Sequence, residues 1–351
     1  MADAVTDPSA PPGAASSEAG PLAPVTVEVM RGALVESRHR AAFAVVDPAG
    51  KVVLSGGDIA RPVYARSSAK PLQALPLVES GAAAAFDLSD TELALACASH
   101  SGEPRHVAAV RAWLARLGLG EADLECGPQL PSHHATLIDF LRGGGEPDAV
   151  HNNCSGKHTG FLTLARHFGV PTRGYIRYEH PVQQRILGVL EAMAGLDLGA
   201  APRGIDGCGI PVIGIPLGNW ALAFARLADP HDQPEPRQAA CARLRAAMTA
   251  EPFMVAGTGR YCTRLMEAAG GRVVAKGGAE GVYCAALPEL GLGLAIKAED
   301  GADRAAEITL GGILRRLGVL GAAEAALLET PIRNRAGLRV GEVRPASEAP
   351  F

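Results

Sequence analysis

The chain has 351 residues, which suits one large domain or two of modest size, and 48% of them are hydrophobic, enough for a full core. A formal net charge of −4 gives no general electrostatic reason to bind nucleic acid or an anionic membrane. No apolar run approaches the length of a membrane-spanning helix, so the sequence predicts a protein that binds neither nucleic acid nor membrane.

The N-terminal segment, residues 1–24, is rich in Ala, Pro, Ser and Gly, a composition that is typical of a disordered leader. It contains neither the basic region nor the continuous apolar region of a secretory signal. The seven cysteines of the chain are an odd number and are scattered, unlike the disulfide framework of a secreted domain. Together these features predict a cytoplasmic protein.

The predicted strands come from both ends of the chain. Alternating apolar residues over 25–54 predict an antiparallel meander with a turn at 47–50, and further strands are expected over 271–276 and 281–297. Helical spacing predicts helices at 67–80, 91–99, 107–117, 131–142, 160–169, 181–194, 217–228, 241–248, 261–269 and 302–317. This order favours an α+β fold, in which an antiparallel sheet from both chain ends is flanked by helices and carries an inserted helical region.

The pattern Ser67-x-x-Lys70 opens one of these helices. Residues three apart lie on one face of a helix, so the Lys70 amine is expected within reach of the Ser67 hydroxyl. A lysine can take the proton of a serine once burial or a nearby cation lowers its pKa. The pattern also occurs by chance as a solvated pair, and on its own it does not predict an active site.

Two further stretches are candidates for the same chemistry. Lys276 lies at the end of a predicted strand and is followed by two glycines, which allow a ligand to approach the backbone closely. Ser99 follows a helix and leads into a polar loop. The plain structural interpretations are an exposed lysine before a β-turn and a helix C-terminus, respectively.

Cys154 and Cys208 lie in polar segments that contain glycine, where inert buried cysteines are uncommon. If the two segments converge with Lys157, two thiolates and one amine could hold a zinc ion and leave a position for water. Lysine is a rare zinc ligand because its amine must first lose its proton. The spacing therefore leaves the metal site open.

Six stretches, in this order, resemble one enzyme family: RSSAKPLQAL, CASHSGE, HNNCSGKHTGF, DGCGIP, MVAGTGRYCT and KGGAEGV. The family is asparaginase II, the thermolabile, Rhizobium-type L-asparaginases, and the resemblance runs from about residue 25 to about residue 320. It implies a fold similar to serine β-lactamases and serine glutaminases. On this basis the catalytic unit is predicted at 25–330, with two subdomains possible, and a C-terminal tail at 331–351.

The resemblance also implies a role for each matching position. It pairs Ser67 with Lys70 and Ser99 with Lys276 as catalytic residues, and it implies a homodimer. It further implies substrate binding by Arg66, whose guanidinium would grip the α-carboxylate, by Asp206, which would orient the substrate amino group or Lys157, and by Lys157 itself. A zinc ion (Zn²⁺) that assists substrate binding is implied at Cys154, Lys157 and Cys208.

The expected reaction is hydrolysis of L-asparagine to L-aspartate and ammonia. In the hypothesis, Ser67 attacks the side-chain amide and Lys70 takes its proton, while Ser99 and Lys276 pass a proton to the departing ammonia. Ser99 as the nucleophile is the variant of this scheme. No organic cofactor is expected.

The scheme requires an uncharged amine at neutral pH. The ammonium groups of Lys70, Lys157 and Lys276 are expected to crowd together beside Arg66. Because like charges disfavour the charged form, each of these amines is expected to have a lowered pKa.

Two other classes of function fit parts of the sequence. A β-lactamase-like or peptidase-like serine hydrolase would share the Ser-x-x-Lys pattern, and it would react with a chromogenic β-lactam. A non-catalytic metal-binding protein would use only the two cysteine segments, and release of ammonia from L-asparagine would exclude it.

Overall fold

The computed structural model describes residues 20–351, and residues 1–19 of the predicted leader lie outside this part of the chain. The strands are β1 (Val25–Arg31), β2 (Leu34–Val46), β3 (Val52–Gly56), β4 (Pro62–Tyr64), β5 (Arg203–Ile205), β6 (Pro211–Pro216), β7 (Val274–Gly278), β8 (Val282–Leu287), β9 (Leu292–Ala298), β10 (Thr330–Arg333) and β11 (Arg339–Pro345). The α-helices are α1 (Lys70–Gln73), α2 (Leu75–Glu79), α3 (Ala82–Ala85), α4 (Asp90–Ala96), α5 (Pro104–Arg116), α6 (His134–Arg142), α7 (Ser155–Phe168), α8 (Pro181–Ala194), α9 (Leu217–Ala228), α10 (Glu235–Ala250), α11 (Pro252–Ala256), α12 (Tyr261–Ala269) and α13 (Asp303–Arg316).

The main sheet is antiparallel and takes its strands from both ends of the chain. Its order is β10-β11-β1-β2-β9-β8-β7, and β3 pairs with the far half of β2. The long strand β2 pairs through its first half with β1 and through its second half with β9, so it joins the two parts of the sheet. This arrangement confirms the predicted fold class, an antiparallel sheet from both chain ends with helices inserted between them.

The last part of the chain belongs to this sheet. Residues 331–351, predicted as a tail, contain β11 and most of β10, and β11 pairs with β1. Val343 packs with Val27, Val29 and Ile308 in a small apolar cluster. Burial of these side chains holds the segment on the sheet, since removing apolar surface from water is favourable.

Helices cover the sheet. Every residue of β8 is buried, and so are residues 41–46 of β2, which requires cover on both faces because successive side chains of a strand point to opposite faces. Helices α9 and α13 both pack on these strands. No helix in residues 20–351 is both long and apolar enough to cross a membrane.

Several helix boundaries match the predictions from sequence. Helices α8, α9 and α12 begin and end at the predicted residues, and α4 begins with a capping box formed by Ser89 and Glu92. Helix α7 begins at Ser155, five residues before the predicted 160–169 segment. As a result, Lys157 lies in the first turn of a helix instead of in a loop.

A close approach of β9 to α9 gives a test of this packing. A Cβ atom added at Gly293 would lie 2.0 Å from the Ala225 backbone nitrogen and 2.1 Å from the Ala221 backbone oxygen. Gly293→Ala is expected to lower the free energy of unfolding by several kcal/mol (~2–4), because two backbones would have to separate. Urea unfolding followed by circular dichroism measures this change.

Gly188→Ala is the matched control. Gly188 is an exposed residue inside α8, and a Cβ there meets no atom within 4 Å. Alanine has the higher helix propensity, so this variant is expected to gain up to about 1 kcal/mol. Equal stability of the two variants would contradict the close packing of β9 against α9.

Candidate active site

Three separate parts of the chain bring the predicted catalytic residues together. Ser67 lies in a 3₁₀ turn, Arg66–Ala69, and Lys70 is the first residue of the following helix α1. Ser99 follows α4, where its backbone N–H donates to the Val255 carbonyl at 2.9 Å. Lys276 lies on β7 at the edge of the main sheet. The sheet from the chain ends and the inserted helices therefore meet at this point.

The Ser99 hydroxyl is the centre of the group. Its Oγ lies 2.9 Å from Lys70 Nζ and 2.8 Å from Lys276 Nζ. Each amine also donates to a backbone carbonyl, Lys70 to Ala98 at 2.5 Å and Lys276 to Gly277 at 2.6 Å. Both lysine side chains are only 1% exposed, so these contacts replace water almost completely.

Burial sets the charge of Lys276. Loss of water lowers the pKa of this amine from 10.5 to about 7, and the nearby Lys70 charge adds to the decrease. A large fraction of Lys276 is therefore uncharged at neutral pH. The predicted lowering of an amine pKa is met at this residue, with desolvation as the main cause and crowding of like charges as the smaller one.

The same expectation is wrong for Lys157. Burial acts to lower its pKa, but the Cys154 and Cys208 thiols outweigh burial and raise it. The sequence argument counted the positive groups and missed the two sulfur atoms that lie beside this amine. Lys157 therefore keeps its proton more firmly than an ordinary lysine.

Ser67 shares a cavity with Ser99 and Lys276. The cavity has a volume of about 200 Å³, and Gly277 and Gly278 also line it. Within residues 20–351, Lys70 donates to Ser99 and not to Ser67, whose hydroxyl makes no hydrogen bond there. The structure thus joins Ser99 to both lysines and leaves the Ser67 hydroxyl facing open space.

Arg66, next to Ser67, has an unusual backbone. Its φ of +50° lies in the left-handed region, which is rare for residues other than glycine and often marks a functional site. Its guanidinium Nε and Nη2 donate to Asp206 Oδ1 at 3.0 and 2.7 Å. Arg66 and Asp206 are therefore paired with each other, and neither lines the cavity.

The predicted metal-binding residues do converge. Lys157 Nζ donates to Cys208 Sγ at 3.1 Å, and Cys208 Sγ lies 3.9 Å from Asp206 Oδ2. Hydrogen bonding by the Cys208 thiol, with the charges of Lys157 and Lys70, holds the pKa of Cys154 well below its usual range despite burial. The Cys208 thiol shares this proton, and its pKa is raised. One thiolate beside one ammonium is the resulting charge state.

The donor chemistry of this cluster fits a zinc ion. Two thiolates are donors that zinc prefers, the Lys157 amine could join them once it releases its proton, and all three side chains are buried together. In residues 20–351, no group of three His, Cys, Asp or Glu side chains could hold a metal ion. A site here therefore depends on the lysine as its third protein donor.

The cavity also includes polar side chains that were not predicted to be functional: Asn153, Arg260, Cys262, Tyr283, Asp303 and Glu307. Asn153, Arg260 and Cys262 lie inside stretches that carry the family resemblance, so the motifs contained a signal for them. Asp303 and Glu307 belong to α13, whose apolar spacing suggested only a packed helix. Their role depends on tertiary packing, which single-sequence patterns do not report.

The chain is similar to one protein family and to several solved structures. A sequence model described as L-asparaginase II matches residues 27–345, most of the chain. None of the curated proteins compared with the chain matches it significantly.

Among solved structures, Mglu in its native form is 17% identical with a TM-score of 0.44, and the match covers 80% of this chain and 63% of Mglu. A β-lactamase from Mycobacterium bovis is 17% identical with a TM-score of 0.37, covering 79% of this chain and 94% of its own. A putative β-lactamase from Bacteroides dorei DSM 17855 is 16% identical with a TM-score of 0.41, covering 78% and 93%. These likenesses concern the fold alone, and this chain spans less than two thirds of the length of Mglu.

The buried amine of Lys276 predicts a specific pH dependence of stability. Its folded-state pKa of about 7 lies below its ordinary value of 10.5. Between these two pH values the unfolded chain holds a proton that the folded chain has released, so the wild-type protein gains stability as pH rises through this window. Lys276→Met removes the group, and its stability relative to wild type is expected to be greater at pH 6 than at pH 9.

Thermal unfolding of both proteins at the two pH values measures the difference, which is expected to change by about 1–3 kcal/mol at most. Lys51→Met, on an exposed turn, is the matched control and should leave the pH dependence unchanged. An equal difference at pH 6 and pH 9 would show that Lys276 has an ordinary pKa.

Proposed function

Because the chain belongs to the L-asparaginase II family, we propose that it hydrolyses L-asparagine to L-aspartate and ammonia in the cavity lined by Ser67, Ser99 and Lys276. Family membership indicates an amidohydrolase, and asparagine as the amide is the proposal. The observation that supports it most is the unbroken contact from Lys70 through Ser99 to Lys276, at 2.9 and 2.8 Å. A cytoplasmic homodimer, expected from sequence, stays a prediction.

In the proposed acylation step, Ser67 Oγ attacks the side-chain carbonyl carbon of asparagine. Its proton passes to the amine of Lys70, which follows it by three residues. Two features support Ser67 in this role: its hydroxyl is free of other hydrogen bonds within residues 20–351, and it lines the cavity. The strained backbone of Arg66 immediately before it is a further sign of a functional turn.

Ser99 and Lys276 are proposed to take part in protonating the leaving group. Ser99, in contact with both amines, can pass a proton from Lys70 toward the nitrogen of the breaking C–N bond, so that ammonia departs. Lys276, with a pKa of about 7, can either hold or release a proton at neutral pH. Water then attacks the carbonyl carbon of the acyl-enzyme, the proton transfers run in the opposite direction, and aspartate is released.

The contacts also support one alternative assignment. Ser99 has both amines on its hydroxyl, so an uncharged Lys276 could activate it directly as the nucleophile. The two schemes differ in which serine carries the acyl group. They are otherwise the same reaction and require the same cavity.

Arg66 and Asp206 stay proposed substrate-binding residues. The Nε and Nη2 atoms of Arg66 donate hydrogen bonds to Asp206. One terminal nitrogen of the guanidinium is left for a substrate carboxylate. Burial acts to raise the pKa of Asp206, but Lys157 and Arg66 hold it below its usual value, so the group is an anion. Any substrate contact by this pair involves sharing these hydrogen bonds.

We further propose that Cys154, Lys157 and Cys208 hold one zinc ion. When bound, the ion would supply a Lewis-acidic centre beside Asp206. The protein residues would keep it in place through two sulfur atoms and one amine that already lie together. No step of the hydrolysis described above passes through it.

Replacement of each serine tests the assignment of the nucleophile. Ser67→Ala is expected to lower kcat for ammonia release from L-asparagine by at least ~10³-fold, and Ser99→Ala by ~10²–10⁴-fold as the loss of a proton relay. Rapid quenching and peptide mass spectrometry should find the aspartyl group on the Ser67 peptide.

An aspartyl group on the Ser99 peptide, in a Ser67→Ala protein that still turns over, would move the nucleophile to Ser99. Absence of ammonia release by the folded wild-type protein from both L-asparagine and L-glutamine would refute the proposed activity. Ser132→Ala, at a serine outside the cavity, is the control for the effect of a serine replacement on folding.

Elemental analysis tests the zinc proposal independently of activity. The purified protein is expected to bind about one zinc ion per chain, and Cys208→Ser to bind it ~10–100-fold more weakly, because a thiolate is lost from the set. Cys241→Ser, a buried cysteine in α10 away from the cluster, should keep the metal. Failure of the wild-type protein to take up zinc in equilibrium dialysis would refute the site.

A further inference from the structure

One wall of the catalytic cavity carries charged side chains that the proposed mechanism does not use. Arg260, which immediately precedes α12, lines the cavity together with Asp303 and Glu307 of α13. The two carboxylates are four residues apart on their helix and thus lie on one face. Ser67, Ser99 and Lys276 line the same space.

In the part of the chain that the structure describes, residues 20–351, these three charged side chains have no polar partner. Within residues 20–351, none of them takes part in an ion pair or a side-chain hydrogen bond, and the influences on Glu307 are burial and the more distant charges of its neighbours. Glu307 is half-buried, so its lack of a partner is unusual, since buried charged groups are normally paired. The charges are available to a molecule in the cavity.

A nearby carboxylate shows the ordinary arrangement. Glu103 also lies beside the Ser99 loop, and its two oxygens accept hydrogen bonds from Ser101 at 2.5 Å and from Thr258 at 2.8 and 2.6 Å. These bonds satisfy the group internally and explain its burial. Among residues 20–351, no hydrogen-bond donor satisfies Glu307 in this way.

We propose that Glu307 and Asp303 bind the α-ammonium group of the substrate and that Arg260 binds its α-carboxylate. A guanidinium and two carboxylates that are not paired with one another are complementary to a zwitterionic head group, while the Ser–Lys residues meet the side-chain amide. This inference rests on the proposed function, and it names the residues that would make that site specific for α-amino acids.

The charge state of Glu307 agrees with this role. Burial, with the charge of Asp303, raises the pKa of Glu307 to about 7 in the empty cavity. A bound ammonium group favours the ionised carboxylate and so compensates the unfavourable burial. Binding of the head group is therefore expected to lower the pKa of Glu307 and to stabilise its ionised form.

Arg66 is the competing residue for the α-carboxylate. Its guanidinium is engaged with Asp206 and lies outside the cavity lining, whereas that of Arg260 is unpaired within the described residues and lines the cavity. The structure thus favours Arg260, and substrate analogues can separate the two.

Two truncated amides allow the test. Succinamate is asparagine without its α-ammonium group, and 3-aminopropanamide is asparagine without its α-carboxylate. Glu307→Gln is expected to lower kcat/KM for L-asparagine by ~10–100-fold, as for loss of a charge-assisted hydrogen bond, and to change kcat/KM for succinamate by no more than roughly twofold. Arg260→Gln is likewise expected to lower kcat/KM for L-asparagine and to leave kcat/KM for 3-aminopropanamide nearly unchanged. Arg66→Gln is not expected to show this difference between the two amides.

Glu289→Gln removes an exposed carboxylate outside the cavity and is the matched control, expected to behave as wild type on all amides. An equal loss on L-asparagine and succinamate in Glu307→Gln, or no loss, would overturn the inference while wild-type hydrolysis of L-asparagine still upheld the proposed function.

Calorimetry supplies a readout that does not depend on turnover. Wild type is expected to bind L-aspartate more tightly than succinate, which lacks the amino group, and Glu307→Gln should abolish this preference. If wild type hydrolyses no amide but shows this preference, the proposed function fails and the head-group site stands. If L-aspartate and succinate bind equally, the inference is overturned.

Discussion

The contact of two buried lysine amines with one serine hydroxyl governs this structure. Burying a charged amine costs several kcal/mol, and burying two side by side costs more because they repel each other. Lys70 and Lys276 are both 1% exposed and both contact Ser99. The balance is reached by lowering the pKa of Lys276 to about 7. A group that can gain or lose a proton at neutral pH follows directly from this arrangement.

The fold holds these groups together by close backbone packing between the two halves of the chain. A Cβ atom at Gly278 would lie 2.4 Å from the Ala65 carbonyl oxygen and 3.0 Å from the Ser68 backbone nitrogen. Strand β7 therefore touches the turn that carries Ser67, and only glycine permits this approach. The second glycine after Lys276, Gly278, thus has a structural cause: it sets the distance between β7 and the turn that carries Ser67.

Local patterns in the sequence were sufficient to predict most of the helices and strands. The helical spacing predicts α8 and α9 to the residue, and α8 begins with Pro181, a residue that favours the first helical position. The structure brings together, in two clusters, the seven polar and sulfur-bearing residues that the ordered motifs singled out, and their roles stay predictions. Local patterns do not predict which residue each side chain contacts in the folded protein.

Pairing and charge needed the three-dimensional structure. The i, i+3 spacing suggested a contact of Lys70 with Ser67, yet tertiary packing turns the amine to Ser99, which lies 29 positions further along the chain. Strand β11, near the C-terminal end, pairs with β1 from the opposite end of the chain, a contact that short-range alternation does not specify. Likewise, the raised pKa of Lys157 depends on two thiols, one of them 51 positions away.

The charges of the thiol cluster balance one another. With one thiolate, one thiol and an ammonium at Cys154, Cys208 and Lys157, the cluster has no net charge. Two thiolates, a neutral amine and a divalent zinc ion would also sum to zero. The net charge that Lys70 and Lys276 experience from this side is therefore the same in both states. The charge of the proposed zinc ion would thus be offset by its own two thiolate ligands, because the thiol proton and the ammonium proton both leave when the metal binds.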